Sequence, residues 1–462
     1  MNSNINLSQL QEHNPWWKRP EFIFDDNYIV EFKRQRYPYY HPLYSSFPLD
    51  KDSILTLRGP RRIGKTTLLK LIIKKLLLEE KISAERVFFF PCDTIKNFQE
   101  LNQLLRLYLD FIRPKTEERL FIFLDEISFV KEWQRAIKAL ADSARLKKTV
   151  FLITGSNIFD LQFSSERLPG RRGEVFPWDI KFLPLTFFEF VKLLEPKLLA
   201  NSLSASLDLG PKFRKLFSDY LLTGGFPTTI NEYFSKNYIA TETYEIFLNW
   251  IEGDLHKVGK SEEIAYQIFK RLFLHLTSEV SFYKLSRESG VSSHSTVAEY
   301  LAIFEKMFLT FNVPFFSLAE KQVYFRKNRK VYFSDPFIFN SLRAKTDGFS
   351  QSAFSYSKEF AADFKNWPRL MENTVGFHLK RKFEKLYFGR FQNKELDFVG
   401  FDQGRFSFFE VKYQEKVLPR EFNWLKEILG QEKLIVLSKN DFSQGKGIQI
   451  IPGELFLGFS DT

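Results

Sequence analysis

At 462 residues the chain can hold about three domains, each large enough to bury its own core. A single cysteine, Cys92, excludes an intramolecular disulfide or a cysteine-built zinc cluster and fits a reducing compartment. The 67 Lys and Arg against 56 Asp and Glu leave a net charge of +11, which admits a nucleic-acid partner without requiring one.

Residues 1–50 are polar and aromatic, with Trp16, Trp17, Tyr37, Tyr39, Tyr40 and Tyr44 around X-Pro turns. They read as an arm packed on the following domain, with stacking of one ring on adenine as the alternative. Met1 to Pro20 has no apolar core behind basic residues, so no signal peptide is expected. Nor does any apolar run approach the ~18 residues of a membrane span, so the expectation is a cytoplasmic chain without membrane contact.

From 51 to 185 short apolar strands alternate with helical stretches, the pattern of a mostly parallel, helix-covered sheet. The strand candidates are Ile54–Leu57, Val87–Phe90, Leu120–Leu124, Val150–Thr154 and Asp179–Leu183. Between the first strand and the helical run Leu68–Leu78 stands Gly59-Pro60-Arg61-Arg62-Ile63-Gly64-Lys65-Thr66-Thr67. It matches G-x-x-x-x-G-K-[ST] with the strand and helix that this motif needs on either side. The glycines let backbone N–H groups and the helix N-terminus approach a polyphosphate. Lys65 then reaches the β- and γ-phosphates, and the Thr66 hydroxyl holds Mg²⁺.

The third strand ends in Asp125-Glu126, at the sheet edge where ligands of such folds collect. Asp125 is the expected second Mg²⁺ ligand, directly or through water, and Glu126 the expected base for the attacking water. The fourth strand ends in Thr154-Gly155-Ser156-Asn157; Asn157 or Ser156 is a candidate for the γ-phosphate or the water, and a capped turn is the alternative. In Leu168-Pro169-Gly170-Arg171-Arg172-Gly173, Arg171 or Arg172 is a candidate to stabilise the transferring phosphoryl group, in one subunit or across a homo-oligomer interface.

Residues 186–240 read as a helical lid. Leu222-Thr223-Gly224-Gly225-Phe226-Pro227 breaks its pattern and supplies Pro227 as a candidate nucleotide contact. In 241–345 a helix at Ser281–Gly290, a turn and a second helix at Thr296–Met307 give a helix-turn-helix cadence. Strands at Phe308–Phe316 and Val323–Phe333 would complete a winged helix, with Arg326, Lys327, Arg329 and Lys330 suited to phosphate contacts. Ala344–Lys358 is the best linker candidate.

Residues 359–462 carry a second constellation: Glu372 at the start of a helix, Asp397 on one strand, and Glu410 and Lys412 on the next. Glu410 and Lys412 share a strand face. Asp397 and Glu410, with Glu372 to complete the shell, are candidate Mg²⁺ ligands, and Lys412 a group that orients water at a scissile phosphate.

In their order these motifs resemble AAA-type P-loop ATPases of bacteria and archaea fused to a C-terminal restriction-endonuclease-like domain of unknown function. The resemblance rests on the Gly59–Thr67 loop, Phe121–Glu126, Thr154–Asn157, Gly170-Arg171-Arg172 with Pro184–Phe187, Gly224–Pro227, Glu395–Phe398 and Glu410–Lys412. It implies an α/β protein with an AAA+ core, helical lid, winged helix and nuclease-like α/β domain, using ATP and Mg²⁺ and acting on or near DNA. Leu396 stands where nuclease motifs often carry Pro. A DNA nuclease, and a nucleotide-controlled switch that binds protein partners, are the alternative readings.

Overall fold

The computed structural model describes all residues except 1–5, 144, 156–172, 174, 176, 201, 426–431, 446 and 461–462. They form two compact units, Met1–Leu183 and Pro184–Thr462.

The first unit is built on a five-stranded parallel sheet of β1 (Ser53–Arg58), β2 (Val87–Pro91), β3 (Leu120–Asp125), β4 (Thr149–Gly155) and β5 (Asp179–Lys181). The strands lie in the order β2-β3-β4-β1-β5. With a phosphate-binding loop after β1, this is the α/β fold of AAA+ type P-loop NTPases. Strands β3 and β4 are buried along their whole length, which is why they read as continuous apolar runs rather than alternating ones. The helix Phe98–Ile112 covers one face with a stripe of Leu101, Leu104, Leu105, Tyr108, Leu109 and Ile112 at helical spacing.

The N-terminal arm protects the open edge of this sheet. The Asn14 amide donates to the Phe89 carbonyl at 3.0 Å and accepts from the Phe89 N–H at 2.7 Å, standing in for a neighbouring strand. The indoles of Trp16 and Trp17 both donate to the Val87 carbonyl at 3.0 Å. These two tryptophans are structural plugs, the packing role expected for the arm.

In the second unit the described residues form an eight-stranded sheet in the order β12-β13-β11-β10-β9-β8-β6-β7. Its strands are β6 (Thr310–Ser317), β7 (Gln322–Phe333), β8 (Lys385–Phe391), β9 (Lys394–Asp402), β10 (Arg405–Val411), β11 (Leu434–Ser438), β12 (Ser443–Gln444) and β13 (Ile448–Pro452). The β6–β7 hairpin follows the helices Glu262–Leu274, Phe282–Ser289 and His294–Lys306. Sequence reading assigned this hairpin and the C-terminal strands to separate domains, yet β6 pairs in parallel with β8 at Phe315–Ser317 and continues their sheet. Each strand was visible, but a pairing between residues this far apart in the chain leaves no local signal.

Ala344–Lys358, expected as a linker, is instead the end of the helix Pro336–Thr346, a helical turn and most of the helix Ala353–Ala362. Ala353, Ser357 and Ala361 are buried at a spacing of four, and residues this small read as polar loop while allowing close helix packing. Glu372 lies well inside the helix Trp367–Lys382 rather than at its start, because Pro368 sets the first turn. One turn on, a Cβ at Gly376 would stand 3.0 Å from the Phe398 ring. This glycine lets the helix approach β9 closely and carries Glu372 toward Asp397.

Candidate functional site

The residues Gly59 to Gly64 form the loop between β1 and the helix Lys65–Leu78. Gly64 has φ 104, a left-handed conformation that favours glycine, and Arg62 is left-handed at φ 65. Gly59 is required for a different reason from the one expected, since a Cβ there would lie 2.0 Å from the Phe182 carbonyl. Space for the backbone beside β5, rather than for a phosphate, forbids a side chain at that position.

Lys65 is buried, and its Nζ donates to the carbonyls of Gly59 at 3.1 Å and Pro60 at 3.0 Å. The ammonium is thereby folded back over the loop that a polyphosphate would fill. The Thr66 hydroxyl donates to Asp125 Oδ2 at 2.7 Å, so the two expected Mg²⁺ ligands face each other. A hydroxyl and a carboxylate oxygen at that separation are a hard-oxygen pair that suits Mg²⁺.

Thr154, fully buried, completes the arrangement by donating to Asp125 Oδ1 and accepting from the Glu126 N–H at 3.0 Å. Burial raises the pKa of Asp125, against the pull of its hydrogen bonds from Thr154 and Thr66. Glu126 sits at φ 53, the left-handed residue that turns the chain out of β3. The sequence signal for Thr154 was its place at the end of the fourth strand; parallel register, which pairs Leu124 with Ile153, sets the next residue of each strand side by side.

Tyr28 gave no such signal. It lies in the helix Asn27–Arg34, interacts with Thr66 and has its pKa raised by burial and then by Asp125 and Asp26. Asn157, Ser156, Arg171 and Arg172 lie outside the described residues.

Gly224 to Pro227 belongs to the second unit, where Pro227 opens the helix Pro227–Lys236. The Gly225 N–H donates to Asp335 Oδ2 at 2.7 Å, and its carbonyl accepts from the Leu185 N–H at 2.7 Å. A Cβ on Gly225 would meet the Leu185 carbonyl at 2.1 Å. Close packing thus accounts for the glycine pair.

The second constellation does assemble, around a residue that sequence reading placed elsewhere. Lys330, expected as a phosphate contact on the wing, is 1% exposed. Its Nζ lies 3.1 Å from Glu372 Oε1, 2.8 Å from Glu395 Oε1 and 3.0 Å from Asp397 Oδ1. Burial works against its charge, and Tyr332, Asp397, Glu372 and Glu395 outweigh it, holding the pKa well above the usual lysine value. Of the other expected wing cations, Arg329 packs its guanidinium 3.8 Å from the centre of the Phe282 ring, and the Arg326 and Lys327 side chains lie outside what is described.

Asp397 Oδ2 accepts from the Val411 N–H at 2.9 Å, and Glu410 Oε2 accepts from the Asp397 N–H at 3.2 Å. Glu410 Oε1 pairs with Lys412 at 3.1 Å. The three expected acids, Glu372, Asp397 and Glu410, therefore come together, and each has an oxygen bound by an ammonium or amide donor. Burial, then the charge of Asp397, raises Glu372 to about 7 and moves Glu410 in the same direction. Among the described residues no three Asp, Glu, His or Cys side chains are arranged to hold a metal ion.

Residues 51–191 match the family model of an AAA domain, and 214–348 and 369–456 match two models of domains of unknown function, DUF8612 and DUF4143. An uncharacterized protein of Haemophilus influenzae is 27% identical over 420 residues, covering 87% of this chain and 93% of its own length. An uncharacterized protein of Methanocaldococcus jannaschii is 26% identical over 308 residues, 62% of this chain and 61% of that protein. Among solved structures, a Walker-type ATPase of Pyrococcus abyssi superposes with a TM-score of 0.39 at 14% identity, covering 63% of this chain and 90% of its own. The Orc1 protein of Aeropyrum pernix in complex with DNA does so at 0.31 and 14%, covering 73% and 97%. Residues 51–191 thus carry an AAA-type domain.

Proposed function

We propose that the first unit binds ATP with Mg²⁺ and hydrolyses it. The observation that carries this reading is the facing pair of Thr66 and Asp125 at the head of the Lys65 helix, with Glu126 next in the chain. The loop N–H groups and Lys65 would hold the polyphosphate, with Lys65 exchanging its two carbonyl partners for phosphate oxygens. Magnesium, when bound with the nucleotide, neutralises charge on the β- and γ-phosphate oxygens. Glu126 would accept the proton of the attacking water, and Thr154, by holding the Glu126 N–H, fixes where that carboxylate starts. Phosphate release from ATP by wild type and by Lys65→Ala tests the reading; equal rates would refute it.

We further infer that the nucleotide state acts on DNA through the second unit. The support is its three helices followed by a β-hairpin, the element order of a winged helix, together with the chain's charge of +11. Affinity for duplex DNA should fall steeply between 50 and 200 mM salt, by roughly tenfold or more for even a few phosphate contacts. Affinity for DNA that is absent or insensitive to salt would favour the protein-partner switch, a reading that suits the acidic Glu299 on the exposed side of the helix His294–Lys306, paired with Lys260 at 2.7 Å.

A further inference from the structure

In the C-terminal acidic centre, we propose, the cation is the chain's own Lys330, so that the site takes up no divalent metal while this lysine is in place. An ammonium has three N–H donors, and here each has a different carboxylate within reach: Glu372, Glu395 and Asp397. Further donors reach the same acids. Tyr332 donates to Glu372 at 2.7 Å, Arg390 pairs with the second oxygen of Glu395 at 3.1 Å, and the Val411 amide binds the second oxygen of Asp397. A network in which all three ammonium donors are engaged resists replacement of the lysine, because the displaced ammonium would have to leave a position with 1% exposure. Mg²⁺ asks for near-octahedral oxygen ligands with several waters, whereas the centre offers three carboxylate oxygens already bound to nitrogen.

The position of Lys330 explains how a hairpin residue reaches the centre. It pairs with Val313 across the hairpin, just before the irregularity at Pro314 and Phe315, after which β6 joins β8. Its side chain therefore leaves β7 where the hairpin strands have not yet merged with the C-terminal strands. The same cluster fastens β7 to β9 and to the helix Trp367–Lys382, so the centre serves as a latch in the second unit rather than as a cleavage site.

The proposal is independent of ATP hydrolysis and is tested without nucleotide. Mn²⁺ is titrated into the full chain, with free Mn²⁺ followed by its electron paramagnetic resonance signal, for wild type, Asp397→Asn, Lys330→Met and the double variant. Wild type and Asp397→Asn should take up Mn²⁺ equally. Lys330→Met should gain one Mn²⁺ site that wild type lacks, and the double variant should lose it. Uptake by wild type that Asp397→Asn abolishes would overturn the proposal, as would a folded Lys330→Met with no added site. Should Lys330→Met fail to fold, wild type against Asp397→Asn decides: equal uptake supports the internal cation and lost uptake refutes it. Lys65→Ala alters phosphate release and leaves this comparison untouched, so the two readings fail separately.

Discussion

Asp125 and Asp397 are both carboxylates on strands, held by neighbouring backbone and side chains, and they differ in what faces them. Two hydroxyls, Thr66 and Thr154, meet Asp125, whereas an ammonium and an amide meet Asp397. A hydroxyl can turn a lone pair toward a metal alongside a carboxylate, so the first arrangement leaves a place for a divalent cation. An ammonium has no lone pair and is itself the cation, so the second is complete. The acids are alike in sequence; their partners decide the chemistry.

The comparison is broken most directly at the first centre. Glu126→Gln keeps the shape and removes the proposed base, and should lower turnover by ~10²–10⁴-fold while leaving ATP bound. Single-turnover phosphate release would show it, and rapid release would reassign the base. Lys65→Ala should cost ~10²–10³-fold in turnover, the usual loss of one charge-stabilising donor. Circular dichroism should find its helices unchanged, because the lysine's present partners are carbonyls of its own loop.

This contrast also marks what could be read from sequence. The phosphate loop and Asp125-Glu126 were legible because their flanking strands and helix are local and their spacing is fixed by backbone geometry. The five strands were legible for the same reason, since runs such as Phe121–Leu124 are buried on both faces. Lys330 was not, because its meaning depends on Glu372 and Asp397, 42 and 67 residues further along the chain. A lysine among Arg326, Lys327 and Arg329 reads as a solvated wing until the sheet pairing turns it inward. Tyr28 was hidden in the same way, since only tertiary packing brings the arm to Thr66.

Removing the internal cation sharpens the comparison at the second centre. Lys330→Ala leaves three carboxylates without their shared donor, and loss of one member of a buried ion cluster costs about 3–5 kcal/mol. Lys412→Ala breaks a pair of the same chemistry, but the Lys412 side chain is 39% exposed and its loss should cost about 1 kcal/mol or less. Urea unfolding of the two variants should separate them by a clear difference in midpoint with similar slopes. Equal midpoints would mean that Lys330 is no more than a surface charge, and the distinction between the two centres would lapse.

The smallest effect near neutral pH belongs to a group outside both centres, and any acid titration of them must subtract it. His378 is buried, accepts from the Phe187 N–H at 2.6 Å through Nε2 and donates from Nδ1 to the Thr374 carbonyl at 2.8 Å. Acceptance at Nε2 needs the neutral ring, and burial lowers its pKa from 6.5 to about 3 against the opposite pull of the Thr374 bond. Between those values the unfolded chain binds a proton that the folded chain refuses. The stability is therefore fully present above 6.5 and lost as pH falls toward about 3. The slope is at most about 1.4 kcal/mol per pH unit. Glu372 runs the other way: its pKa is raised from 4.5 to about 7 by burial and then by Asp397, so the folded chain keeps the proton longer and this term grows as pH falls through that window. In His378→Gln the acid loss of stability should flatten, exposing the opposite trend from the acidic centre. An unchanged acid slope in that variant would place the sensitivity in groups other than His378.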